Sequence, residues 1–271
     1  QNENYVVWTW KAGGNKNTFN VDDVGYASAA AAGLDGGTLT VTGASVGTKQ
    51  GFSIIKYTGS GNSGDSASHG LLEAPKFIIT KNIDNGTYSW RVFTTVIDGS
   101  LDRLFLNATT TKADQTGVNV PTSSVFYVGS NLDHNKANDN IIAYLWHDVP
   151  GLQKFGTYKG LGGTANGSFV ELGFRPAIVW VKDTANENSN SHWCVFDNLR
   201  PGFNKSPAQN RLHIDAADAE DPDRIDEGNG IDILSNGFRV RSNNWYETNV
   251  SSGTYIYCAW ADVPTVDLFG G

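Results

Sequence analysis

The chain has 271 residues, 39% of them apolar, with eight Trp, 31 Gly and no Met. That length allows one large domain or two ordinary ones, and the apolar content excludes a disordered chain. A formal charge of −8 argues against nucleic acid or an anionic membrane as partner, and no apolar run approaches the ~20 residues of a membrane span.

Gln1-Asn2-Glu3-Asn4 carries neither an initiator Met nor a signal sequence, so the chain reads as a processed product or a piece of something longer. Residues 5–10 (YVVWTW) look like a closing strand left over from a preceding repeat. Such a strand is expected to complete a sheet in this chain, a neighbouring subunit or upstream sequence, because a bare edge invites pairing. Residues 13–50 read as a connector packed on the repeat that begins at 51. Within it, 27–37 is a small-residue tract able to make one or two helical turns, and 38–42 is one more strand.

From residue 51 the sequence repeats itself. PKFIITK at 75–81 matches PAIVWVK at 176–182, and YTG at 57–59 matches YKG at 158–160, both offset by 101. WRVF at 90–93 matches WCVF at 193–196, offset by 103, and RLFLNA at 103–108 matches RLHIDA at 211–216, offset by 108. IAYLWHDVP at 142–150 matches IYCAWADVP at 256–264, offset by 114. The offset only grows, as it does when insertions fall in loops between fixed strands.

Thr, Val, Ile and aromatic runs between Gly-rich turns place strands near 52–58, 76–82, 89–95, 103–107, 124–129 and 140–147. In the second copy they fall near 154–159, 177–182, 192–197, 211–214, 237–242 and 254–261. The last is apolar on both faces, which suggests a central strand covered on both sides. The fold class is therefore all-β: two tandem antiparallel, jelly-roll-like β-sandwich repeats at 51–151 and 152–271, preceded by a strand and connector at 1–50.

WTWKAGG at 8–14, GYASAAAAGL at 25–34, GFSIIKYTG at 51–59, SNGFRVR at 235–241 and GTYIY at 253–257 carry a resemblance. Together they resemble the tandem repeat region of large virion-associated proteins of tailed phages, notably marine and cyanobacterial phages. The resemblance covers nearly the whole chain. It implies a virion structural protein, part of a tail fibre, spike or other extracellular appendage, with a host-adhesion role. It also implies self-association, by analogy with trimeric fibres, and contact with other virion proteins. A carbohydrate-binding module without catalysis is the alternative, and a polysaccharide depolymerase ranks below both.

The residues do not favour catalysis. Gly43-Ala44-Ser45-Val46-Gly47 fits the G-x-S-x-G pattern, but a turn into another strand comes next where a nucleophile elbow needs a helix. His69, His134, His147, His192 and His213 form no closely spaced zinc pair, so no metal or cofactor is expected. Where the repeats align, His192 answers to Ser89, His213 to Phe105 and His147 to Ala261, which implies no shared histidine chemistry. Cys194 and Cys258 read as buried free thiols, with a single bridge as the other reading. The acidic stretch 215–227 reads as a solvated loop, its spacing unlike a Ca²⁺ loop. Trp10, Trp146 and Trp260 recur at matched positions, as do Trp90 and Trp193, and all five are expected in the core. Trp245 and Tyr246, beside Asn243 and Asn244 in a loop, are the candidate glycan contact: rings stack on sugar C–H groups while amides bond hydroxyls.

Overall fold

The computed structural model describes residues 6–163, 166–186, 190–200, 203–204, 210–218, 220, 230–243 and 245–261. The chain divides into two bodies. One comprises Lys11–Asn107 and Lys112–Val149; the other comprises Gln1–Trp10, Ala108–Thr111 and Pro150–Gly271.

The first body contains β1 (Phe19–Val21), β2 (Val24–Tyr26), β3 (Val41–Gly47), β4 (Phe52–Thr58), β5 (Ser66–Ser68) and β6 (Phe77–Asn82). It continues with β7 (Arg91–Thr94), β8 (Asp102–Phe105), β9 (Ala113–Asp114), β10 (Val125–Tyr127), the short helix α1 (Leu132–Asn135) and β11 (Asn140–Trp146). Its large sheet runs β2-β1-β3-β4-β11-β6-β7-β8-β9, and β5 pairs with β10 in a small second sheet. The β1–β3 pair is parallel, whereas β4, β11, β6, β7 and β8 pair antiparallel.

The second body contains β12 (Gln153–Lys159), β13 (Phe169–Glu171), β14 (Pro176–Asp183), β15 (Cys194–Asp197), β16 (Leu212–His213), β17 (Ile231–Leu234), β18 (Gly237–Val240) and β19 (Thr254–Ala261). Five strands run β12-β19-β14-β15-β16, and β13-β18-β17 form the second sheet. The order β4-β11-β6-β7-β8 is thus repeated by the matched segments β12-β19-β14-β15-β16. Both bodies are mainly antiparallel and sandwich-like, and the fold is nearly all-β.

Period-two alternation sorts the residues between layers. Ile141, Ala143 and Leu145 of β11 join Tyr57, Phe93 and Phe126 in the first core. Tyr255, Tyr257 and Ala259 of β19 join Tyr158, Phe196 and Phe238 in the second. The two sheets of each sandwich meet through a matched aromatic pair: Tyr57 edge-on to Phe126 at 5.7 Å, and Tyr158 edge-on to Phe238 at 6.0 Å. Such pairs are worth about 0.5–1.5 kcal/mol beyond the area they bury.

The buried polar groups repeat as faithfully. The Tyr57 hydroxyl donates to the carbonyl of His134, and the Tyr158 hydroxyl to that of Thr248. The Asn135 side chain accepts from the Ser60 amide and donates to the Gly129 carbonyl; Asn249 does the same with Leu161 and Ser242. The Lys81 ammonium donates to the carbonyls of Asn85, Gly86 and Tyr88, and that of Lys182 to those of Thr109, Asp183 and Ser191. Each Lys therefore meets its donor needs inside the protein, as a buried ammonium must. Burial lowers the Lys182 pKa to about 8, against the opposing pull of Asp183.

The structure corrects several expectations. Residues 6–10 form no strand; Val6, Trp8 and Trp10 are half-buried and Val7 and Thr9 exposed. The segment is fixed by side-chain packing, with Trp10 edge-on to Trp180 at 6.2 Å and to Trp260 at 5.3 Å. The 27–37 tract does make a single helical turn, as expected, with the Ala32 amide returned to the Ser28 carbonyl, and Gly33, at φ +69°, halts it. The strand expected at 38–42 begins at Val41 and runs to Gly47, so residues 11–50 contribute β1, β2 and β3 to the first sheet. The strands β5, β9, β13 and β17 were not legible in the sequence because they are two to four residues long.

His69 is wholly buried in the first body and satisfied as a neutral imidazole. Its Nε2 faces the Thr122 carbonyl at 3.0 Å, and its Nδ1 accepts from the Leu71 amide at 3.0 Å. A proton on Nδ1 would oppose that amide. Burial pushes the pKa down to about 4, only partly offset by the Thr122 carbonyl. Between pH 6.5 and 4 the unfolded chain therefore binds the proton that the folded one refuses, and stability falls as pH falls through that window. Acidification from pH 7 to 4 should cost on the order of 3 kcal/mol at this residue. Denaturant unfolding of wild type and His69→Gln at about pH 7 and 4.5 checks this. The wild type should lose more on acidification than the variant; an equal loss counts against it.

Candidate functional site

The two sandwiches share a five-strand frame, and within that frame their polar side chains differ at the edge formed by the third and fourth matched strands and the turn before the closing strand. In the first body that turn is α1. The amides of His134 and Asn135 return to the Asn131 carbonyl, as those of Thr248 and Asn249 return to the Trp245 carbonyl. Asn131 thereby answers to Trp245, Leu132 to Tyr246 and Asp133 to Glu247.

Both acids are buried at this matched position, and each is held by a cation from a different strand. Asp133 meets Arg91 of β7 at 2.6 Å and His134 Nδ1 at 2.7 Å. Glu247 meets Arg211 at 2.6 Å and His213 Nε2 of β16 at 3.1 Å. In the second copy Cys194 occupies the place of Arg91, so the positive charge comes from the next strand. Burial works to raise both carboxyl pKa values, but the imidazole and guanidinium partners outweigh it and hold them below the usual range.

At the start of α1 the first body opens a polar cleft of about 260 Å³, lined by Ser63, Arg103, Asp114, Gln115, Ser130 and Asn131 among others. Its donors and acceptors suit a hydroxylated ligand. Nearby, Asp98, Asp102 and Asp114 surround the Lys112 ammonium at 2.5, 2.8 and 3.0 Å. The trio is a cage for that ammonium.

At the matched edge of the second body the groups are imidazoles and a thiol. The β15–β16 ladder places Cys194 opposite His213. His192 stacks on His213 with centroids 4.2 Å apart and planes 15° from parallel. His192 Nδ1 lies 3.2 Å from Asp215, whose other oxygen accepts from the Trp193 amide at 3.0 Å. His213 Nδ1 lies 3.2 Å from Asp218. Burial tends to lower the His213 pKa, yet Glu247 and then Asp218 leave it raised. Burial, assisted by Glu247, drives the Cys194 thiol pKa well up, so it stays protonated. Sequence spacing missed this cluster because 20 residues separate the imidazoles along the chain, and strand pairing joins them.

The residues singled out from the sequence divide. Trp193 is fully buried, and Trp146 and Trp260 keep 4% exposure. Trp146 stacks on Phe52 at 4.6 Å, while Trp260 lies edge-on to Phe155 and Trp180. Trp10 is half-buried. Trp90 corrects the expectation of a core residue: it is 38% exposed. Its amide donates to Asn107 and its carbonyl accepts from Leu106, as Trp193 does with Asp215 and Ile214. The shared frame fixes those bonds; cover over the ring comes from loops, which the duplication leaves free.

Trp245 is half-buried and lies against Glu247, so the exposed aromatic of that loop is Tyr246, at 37%. Asn243 is exposed, and Asn244 lies outside the described residues. Within the acidic stretch, Asp215, Asp218 and Glu220 turn to His192, His213 and Arg200, while 219 and 221–227 lie outside the described residues. Cys194 and Cys258 are buried and free. Cys194 faces the inner core, whereas Cys258 alternates with the inward Tyr257 and Ala259 and so lies on the other face of the sheet. Ser45 sits mid-strand in β3, donating to Asn20 at 2.8 Å and accepting from the Gly13 amide at 2.9 Å, without the sharp turn of a nucleophile elbow.

These features define a duplicated, nearly all-β protein whose two sandwiches carry different side chains on one shared edge. The chain belongs to the DUF7483 family, a domain of unknown function, which matches residues 1–264. No curated protein and no solved structure matches it.

Proposed function

We propose that this chain is a non-catalytic structural and adhesive segment of a tailed-phage virion appendage. The observation that supports this reading is a constant frame with a variable edge. Matched Tyr and Asn side chains keep the same buried bonds and the matched Lys side chains both end on backbone carbonyls, while Ser89, Arg91, Phe105 and Asn131 give way to His192, Cys194, His213 and Trp245. Binding scaffolds hold a rigid frame and vary what it presents. Peptides of this chain should therefore be found by mass spectrometry in purified virions of a phage encoding it; their absence from the particle counts against the proposal. Self-association and contact with other virion proteins are what the phage resemblance adds to this reading.

Carbohydrate binding is the second reading, favoured by the cleft at Arg103 and Asn131 and by the exposed Tyr246. A glycan array should then show binding that Arg103→Ala or Tyr246→Ala weakens at least about tenfold, since one stacked ring or charged hydrogen bond is worth roughly 1–3 kcal/mol. No bound glycan leaves a purely structural role, and binding indifferent to both changes removes these two residues from it.

A further inference from the structure

The geometry points to a Zn²⁺ site in the second body, with His192, His213 and Asp218 as ligands and a fourth position open to solvent. Each of the three offers a ligand atom within 4.8 Å of the other two. Two imidazoles and a carboxylate make a donor set suited to Zn²⁺.

The surroundings of the imidazoles carry the inference. A metal-bound histidine normally gives its other ring N–H to a carboxylate, which fixes the ring and its tautomer. Here Asp215, its side chain wholly buried, faces His192 Nδ1 at 3.2 Å. Glu247, its side chain 2% exposed, faces His213 Nε2 at 3.1 Å. Arg211 Nε also points at His213 Nε2, at 3.3 Å, but lies nearer Glu247, at 2.6 Å, so the carboxylate can take both the guanidinium and a proton on Nε2. The nitrogens left over are His192 Nε2 and His213 Nδ1. His213 Nδ1 already stands 3.2 Å from an oxygen of Asp218. That separation is close to the roughly 3.3 Å edge of a tetrahedron with bonds of about 2.0–2.1 Å. Asp218 is 64% exposed, so solvent reaches the cluster from its side. The rings are now stacked, and coordination requires them to tilt apart, because their lone pairs lie in the ring planes.

A purely structural role explains the cluster less well. The first body builds the same five-strand frame with Ser89 and Phe105 in place of the imidazoles. Glu247 already has a buried cation in Arg211, at 2.6 Å, so His213 is not needed to neutralise it.

The test is a calorimetric titration of the full, chelator-stripped chain with zinc chloride. One equivalent should bind saturably. The double variant His192→Ser/His213→Phe, which copies the first repeat, and the surface variant Asp218→Ala should each weaken binding at least about tenfold. Asp215→Asn should weaken it about 10–100-fold, as loss of an orienting carboxylate does. Circular dichroism reports whether each variant is folded. Asp218→Ala keeps the test valid should the double variant fail to fold, because it removes only an exposed side chain. Absence of saturable uptake up to roughly 0.1 mM zinc, or affinity unchanged in folded Asp218→Ala, overturns the proposal.

Discussion

Replacing Glu247 by alanine should destabilise the second body by about 3–5 kcal/mol, the usual result of leaving a buried charge without its counter-charge. Arg211, with 4% of its side chain exposed, would keep its guanidinium in the interior without this carboxylate. His213 would lose the acceptor at its Nε2. The matched change Asp133→Ala should act alike in the first body, because Arg91 is equally buried. Chemical unfolding followed separately for the two bodies measures both. If either variant unfolds within about 1 kcal/mol of wild type, that acid is not the counter-charge described here. A charge-conserving Glu247→Asp should recover part of the loss; Glu247→Gln should recover less, since it keeps an acceptor and loses the charge.

Trp193→Ala should cost about 3–5 kcal/mol, whereas Trp90→Ala should cost about 1 kcal/mol or less, although the two are matched in the repeat. Trp193 has no exposure and Trp90 has 38%. Truncating the first leaves a void the size of an indole in a close-packed interior, while truncating the second mostly returns water to a half-wet site. Denaturant midpoints of the two variants, read against wild type, give the comparison. Equal losses would mean that sequence position in the duplicated unit, and not burial, sets the energetics.

Much of the frame was legible in the sequence because it is written twice. Matched runs such as PKFIITK and PAIVWVK located β6 and β14, and the apolar residues on both faces of 254–261 located β19 in the interior of its sheet. The edge was much less legible. Asp133 and Glu247 differ in residue type and sit in a turn, so only the matched backbone bonds to Asn131 and Trp245 reveal their equivalence. Their partners differ again, Arg91 in one copy and Arg211 in the other. The pairing of His192 with His213 depends on the β15–β16 register, a long-range property that residue spacing does not encode. Side-chain cover at Trp90 and Trp245 was hidden for a related reason: recurrence reports the backbone, and loops decide what reaches solvent.

The second body does not draw its residues from one uninterrupted stretch. It takes Trp10 from the front of the chain, and the Thr109 carbonyl that receives the Lys182 ammonium from a point inside the first repeat. The point where the duplication begins anew is consequently a poor place to divide the polypeptide. A fragment started there would leave Trp180 and Trp260 without their third indole and Lys182 short of one acceptor. Copying a unit in evolution and excising it at the bench are different operations, and this chain obeys only the first.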